Sequence, residues 1–273
     1  MEETAHHQLD MAIELSGDPD RYIGHVSPAY QNMVGPFGGV TAATILHSVL
    51  IHPERVGSPI SLTVNYLGPI KEGELVIRPK LLRANRSNQH WMVELLQDED
   101  IYASATCVFA ERKDTWVGEE IAFPEVGSPE LNAPLAELPM LPKWVKQYEM
   151  RFVNGNPFDL EKKDNRENLS ESLVWMADKP KRNIDFVSLT ALADAFFPRF
   201  IVRNRKFVPC GTVSMTIHFH ALEEDLAELT STKVLGRARA SKFSGSYFDQ
   251  TGELWGENKK LLATTSQMVY YKG

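Results

Sequence analysis

Asp194 is the one acid in the apolar stretch Leu192-Ala193-Asp194-Ala195-Phe196-Phe197. Burial among such neighbours strips water from a carboxylate and raises its pKa toward neutrality. A group of that kind can exchange a proton at physiological pH, although a carboxylate paired at an interface leaves the same trace. Gly38-Gly39 precedes an apolar helix candidate, where free backbone N–H groups can meet developing negative charge. Glycines there can equally serve close packing. Arg83, Arg86, Arg237 and Arg239 are candidate contacts for phosphate, against the plainer reading of solvated arginines on a sheet face. His218 and His220 share a strand face by the two-residue period, but no third or fourth ligand stands at a metal-site spacing, so no metal is expected. A Gly-x-Ser-x-Gly elbow, a Walker A loop and a dinucleotide fingerprint are all missing, so no cofactor is expected either. Cys107 and Cys210 read as small buried residues rather than nucleophiles, and two cysteines cannot build a disulfide scaffold.

The elements that must hold these groups come in two similar sets. Ser61-Leu62-Thr63-Val64-Asn65-Tyr66 resembles Ser214-Met215-Thr216-Ile217-His218-Phe219 at an offset of 153, and both alternate as strands do. Arg83–Ser87 resembles Arg237–Ser241 at an offset of 154, and Ala103–Thr106 resembles Ala263–Ser266 at 160. The growing offset places about six extra residues in the second copy, with the hairpin between Gln250 and Lys260 as the expected site. Apolar positions 42, 45, 46, 49 and 50 predict a buried helix over Val40–Leu50, and Ser188–Phe197 predicts a second, stopped by Pro198. Short strands are expected at Met11–Leu15, Tyr22–Val26, Tyr148–Val153 and Leu173–Ala177, and a long polar loop at Asn154–Ser172. Prolines 129, 134, 139 and 142 mark a linker. The chain divides on this reading into residues 1–126, a linker over 127–145, and residues 146–273.

Composition bounds the rest. The 273 residues carry 29 Lys+Arg against 36 Asp+Glu, a net charge of −7, which argues against a general nucleic-acid binder. No apolar run approaches a membrane span, and the N-terminal residues lack the apolar core of a signal peptide. A cytoplasmic protein is expected.

Gly35-Pro36-Phe37-Gly38-Gly39 ahead of the first helix, Ala191-Leu192-Ala193-Asp194, Thr212 to His220 and Ala263-Thr264-Thr265-Ser266-Gln267, in that order, resemble the acyl-CoA thioesterase II family. The resemblance covers roughly residues 10–120 and 148–272. It implies an α+β double hotdog: two antiparallel sheets, each wrapped around a central helix, joined edge to edge as a pseudo-dimer. In that family an Asp on the second hotdog helix, a Thr or Ser and a Gln together hold the attacking water. Those roles fall on Asp194, Thr212 and Gln267. Thr212 and Gln267 can orient a water without competing for its proton. The resemblance further implies an acyl-CoA substrate, hydrolysis without a covalent intermediate, Gly38 and Gly39 beside the oxyanion, the four arginines as coenzyme A phosphate contacts, and a homodimer or larger homo-oligomer. It departs from the family at Ser214 and Met215, where an acidic residue and a His are common. A non-catalytic acyl-thioester binding protein is the alternative, with a hotdog enoyl-CoA hydratase or dehydratase behind it. The repeat aligns Thr212 with Pro59 and Gln267 with Cys107, neither able to take the polar role, so one site per chain is expected.

Overall fold

The computed structural model describes residues 6–159 and 169–272. Met1–Ala5, which entered the reading of the N-terminus, and residues 160–168 of the expected loop lie outside them.

In the first half, helix α1 (Gln8–Ala12) leads to strands β1 (Ser16–Asp18) and β2 (Arg21–His25), helix α2 (Gly38–Leu50), and strands β3 (Ser58–Tyr66), β4 (Glu74–Ala84), β5 (Asn88–Gln97) and β6 (Asp100–Ala110). The second half has β7 (Tyr148–Asn154), β8 (Ser172–Asp178), α3 (Phe186–Leu192), α4 (Arg199–Asn204), β9 (Cys210–Phe219), α5 (Glu223–Ala227), β10 (Val234–Arg239), β11 (Phe243–Ser244), β12 (Tyr247–Gly256) and β13 (Leu261–Tyr271). All strand pairs are antiparallel and form one sheet, in the order β1-β2-β4-β5-β6-β3-β9-β13-β12-β10-β8-β7, with β11 paired to β12. The halves meet at β3 and β9, where Thr63 lies opposite Thr216. Inward side chains such as Leu62, Val64, Met215, Ile217 and Ala263 alternate with polar outward ones and bury α2 and α3 against the sheet.

Helix α2 is buried nearly all round, which is why its polar residues bond back to its own backbone: Thr44 donates to Val40 O at 2.9 Å and Ser48 to Ile45 O at 2.7 Å. Helix α3 is capped by Asp185, whose carboxylate accepts from Ser188 N at 2.8 Å.

Four expectations need correction. Met11 and Ala12 belong to helix α1, not to a strand over Met11–Leu15. His7 Nδ1 caps Leu9 N, and Leu9, Ala12 and Ile13 face the core at helical spacing. The second helix ends at Leu192, not Phe197. Asp194 N and Ala195 N bond to Ala191 O and Leu192 O, tightening the chain into a turn. Downstream, the Phe196 ring lies against Gly236 and Gly252, where a Cβ would come within 2.7 and 3.3 Å of it. The buried Arg199 donates to Ser170 O, Ser172 Oγ, Ala238 O and Phe197 O, pinning the same segment to β8 and β10. Asp194 therefore lies beyond the helix, not on it.

The third and fourth corrections concern register. Arg237 lies opposite Glu253 as Arg78 lies opposite Glu94. The counterpart of Arg237 is thus Arg78 rather than Arg83, and the offset has reached 159 by β10. The extra residues fall between β9 and β10, where α5 is inserted, not in the Gln250–Lys260 hairpin.

Candidate active site

The N-terminus of α2, the turn after α3 and the paired strands β9 and β13 converge on Asp194. Gln267, inward-facing on β13, donates from Nε2 to Asp194 Oδ1 at 2.9 Å. The same amide touches Met215 Sδ at 3.4 Å. Thr212 Oγ1 donates to Gln267 Oε1 at 3.4 Å, long for a hydroxyl bond. The Gly39 N–H donates to the Asp194 carboxylate from the first turn of α2, where helix amides have no partner within the helix. Tyr66, at the end of β3, donates to Gly38 O at 2.9 Å.

Asp194 is 8% exposed and Gln267 6%, while Gly38, Tyr66 and Thr212 are half-buried around them. Burial raises the Asp194 carboxyl to about 7, against the opposing hydrogen bonds from Gln267 and Gly39. Burial and the nearby Asp194 charge push the Tyr66 phenol well above its ordinary value. Both helix positions are crowded, by side chains at Gly38 and by backbone at Gly39. A Cβ on Gly38 would stand 2.8 Å from Asp194 Oδ2 and 3.4 Å from Tyr66 Oη, and one on Gly39 2.6 Å from Ala191 O. The arrangement is a buried carboxylate that titrates near neutrality, oriented by an amide side chain and a backbone N–H. It can take a proton from water and hold the resulting geometry.

Residues 27–110 match the family model described as the acyl-CoA thioesterase N-terminal domain, and residues 122–271 the one described as the acyl-CoA thioesterase C-terminal domain. The chain belongs to the acyl-CoA thioesterase family. The thioesterase is a thioester hydrolase with an α+β hotdog fold. It is similar to a conserved protein of unknown function with a hot dog fold from Alicyclobacillus acidocaldarius, at 39% identity over 98% of this chain and 99% of that one, with a TM-score of 0.93. An acyl-CoA thioesterase II, TesB2, from Mycobacterium marinum is 14% identical over 97% and 98% of the two chains, with a TM-score of 0.73. The dehydratase domain of RzxB from Pseudomonas fluorescens is 9% identical over 98% and 100%, with a TM-score of 0.56. These two likenesses are of fold alone. No curated protein matches the chain.

Of the expected site residues, the thioesterase brings together Asp194, Thr212, Gln267, Gly38 and Gly39. It does not bring the four arginines to them. Arg83 and Arg86 sit on the β4–β5 hairpin, with β6 and β3 between them and β9, and Arg83 donates to Asn85 Oδ1 at 2.9 Å. Arg237 forks onto Glu171 at 2.7 and 2.9 Å, and Arg237 and Arg239 alternate with the inward-facing Gly236 and Ala238. Cys107 is buried and its thiol is pushed up to about 12, as is that of Cys210, so neither is a nucleophile. Among the described residues no helix is long and apolar enough to cross a membrane.

Tyr66 escaped the sequence reading. The repeat carried a signal for it, because its counterpart is Phe219, and a hydroxyl present in one copy only marks a polar contact made in one copy only.

Proposed function

We propose that the protein hydrolyses acyl-CoA by direct attack of water, with Asp194 as general base. Gln267 and Thr212 orient the water. Its oxygen bonds to the thioester carbonyl carbon as its proton passes to Asp194. The tetrahedral intermediate then expels the sulfur of coenzyme A, which leaves as the thiol with the proton returned from Asp194. The products are a free carboxylic acid and coenzyme A. Because the Gly39 N–H is engaged with Asp194, the oxyanion falls to Gly38 at the opening of α2.

The observation that carries this reading is the hydrogen bond from Gln267 to a buried Asp194 held near neutrality. A dehydratase would pair its acid with a histidine, and no histidine is among the groups that shift Asp194.

The same proposal treats the chain as a double hotdog pseudo-dimer of residues 1–126 and 146–273, joined by 127–145, with one working site. At the position equivalent to Gly38 and Tyr66, the opening of α3 and the end of β9 carry Phe186 and Phe219, whose rings meet edge to face at 5.6 Å. Cys107 lies opposite Leu62 as Gln267 lies opposite Met215. Two aromatic rings and a buried thiol fill the place where the polar constellation would stand. A cytoplasmic homodimer or larger homo-oligomer completes the reading, checked by light scattering.

The test is thiol release across short, medium and long acyl-CoA esters. Turnover of at least one ester supports the activity, and none on any ester refutes it.

A further inference from the structure

The hydroxyl of Tyr66 has no part in the hydrolytic steps above, yet it is tied to their base through one peptide unit. Tyr66 Oη donates to Gly38 O at 2.9 Å. The N–H at the other end of that same peptide belongs to Gly39, and it donates to the Asp194 carboxylate. One planar amide therefore accepts from the phenol at its oxygen and gives to the base at its nitrogen. The two ends share a conjugated system. A donor at the oxygen draws electron density out of the C–N bond and makes the N–H a stronger donor.

The elements explain why the bonds fall here. Helix α2 opens on Phe37, which has no side-chain oxygen to cap the first turn, so the Gly39 amide is left for another partner. Helix α3 has its own cap in Asp185. Asp194 takes the Gly39 amide from the turn beyond α3. In a helix the carbonyl of Gly38 also accepts from the amide four residues on, so folding does not depend on the phenol. The repeat points the same way. The counterpart of Tyr66 is Phe219, whose ring meets Phe186 at the opening of α3. The hydroxyl stands only in the copy whose helix opens against the carboxylate.

No ionised side chain offsets the Asp194 charge. Burial raises its carboxyl, and the hydrogen bonds from Gln267 and Gly39 oppose that. Strand β9 contributes Thr212 and Met215, both neutral and both touching Gln267. From β3 and β7 come the phenols of Tyr66 and Tyr148, each held protonated by burial. With no counter-ion among these groups, the strength of two neutral donors sets how basic the carboxylate is.

We infer that Tyr66 is a positioning residue that tunes the basicity of Asp194 through the Gly38–Gly39 peptide. By strengthening the Gly39 N–H it favours the carboxylate over the carboxylic acid, so more of the base is ionised at neutral pH. The inference deepens the hydrolytic reading and rests on it for its catalytic meaning.

The test follows the Asp194 carboxyl carbon by NMR against pH, its resonance assigned by its loss in Asp194→Asn. Wild type is compared with Tyr66→Phe and with 3-fluorotyrosine in place of Tyr66. Fluorine makes the phenol a stronger donor and leaves the ring where it is. Tyr66→Phe should raise the Asp194 midpoint by about 0.2–0.6 pH unit, the share that one bond lends its neighbour in a hydrogen-bonded chain. The fluorinated phenol should lower it. Drier packing alone would raise both. Opposite shifts support the inference, whereas midpoints within about 0.1 unit of wild type in both, or shifts of the same sign, overturn it. If Tyr66→Phe does not fold, the fluorinated chain decides alone: a lowered midpoint supports the coupling, and an unchanged or raised one overturns it. The acid limb of kcat/KM should move with the carboxyl in each case. A carboxyl that moves beneath a fixed acid limb, or a protein that releases thiol from no ester, overturns the hydrolytic reading and with it the catalytic meaning, while the titration still decides the coupling.

Discussion

The hydroxyls of Thr63 and Thr216 meet at 3.0 Å across the junction of β3 and β9, and the two residues are 153 positions apart. That separation is also the offset between the two similar strand segments. Each threonine therefore faces its own counterpart, and the sheet runs unbroken from one half into the other. Inward-facing Leu62 and Val64 on one side, and Met215 and Ile217 on the other, pack into the same core. The halves should unfold together. One calorimetric transition is expected, with calorimetric and van't Hoff enthalpies equal. Replacing both threonines by Asp, which sets like charges directly opposite, should lower stability by about 1 kcal/mol or more, beyond the sum of the single changes. Two separate transitions in the wild type would show that the halves are independent.

A Cβ on Gly38 would sit 2.8 Å from Asp194 Oδ2, so a larger residue fits only by displacing that carboxylate. The Gly38 backbone is helical, so alanine is conformationally acceptable there. Gly38→Ala should therefore fold with a Tm near that of wild type while kcat falls about 10- to 100-fold through displacement of the carboxylate. Unchanged kcat would separate Gly38 from the catalytic geometry.

Burial brings the Asp194 carboxyl to about 7, and a general base works only when ionised. The kcat/KM profile should rise with pH through about 7 and level off above it, falling about tenfold per pH unit on the acid side. The titratable groups facing Asp194 are the phenols of Tyr66 and Tyr148, both raised by burial, so neither adds a limb below pH 10. A flat profile between about pH 5 and about pH 9 would remove the carboxylate from the rate-determining ionisation.

The same shift has a consequence for stability. The folded chain holds the Asp194 proton more tightly than the unfolded chain, whose carboxyl titrates near about 3.9. The stabilising contribution of that proton is fully present below about pH 4 and is lost as pH rises through about 7. Asp194→Asn cannot ionise, so it should gain on wild type across this window, by an amount on the order of a few kcal/mol at about pH 8 and by little at about pH 4. Urea melts at both pH values check this, and a variant less stable than wild type at the higher pH would contradict it.

The legibility of this chain in its sequence followed the range of the forces at each position. Strands β3 and β9 and helix α2 were readable because their alternation and helical spacing are local. The turn that carries Asp194 was not, since it is imposed by Phe196 lying over Gly236 and Gly252 and by the buried fork of Arg199. The five residues of α1 are too few for periodicity to separate helix from strand, and the His7 cap decided the matter. The Arg83 and Arg237 segments looked alike in type, but only the register across from Glu94 and Glu253 identifies the true counterparts. Asp194, Thr212 and Gln267 were reached through their order along the chain, whereas Tyr66 becomes visible only when its hydroxyl is seen on Gly38 O.

The central claim is that Asp194 removes the proton from the attacking water. Thiol release from the best acyl-CoA ester, measured above about pH 7.5 with wild type and Asp194→Asn, tests it most directly. Thermal melts alongside should show the variant folded. The account predicts a fall in kcat/KM of about 100- to 10,000-fold in a folded variant. Turnover by folded Asp194→Asn within a few-fold of wild type would contradict it.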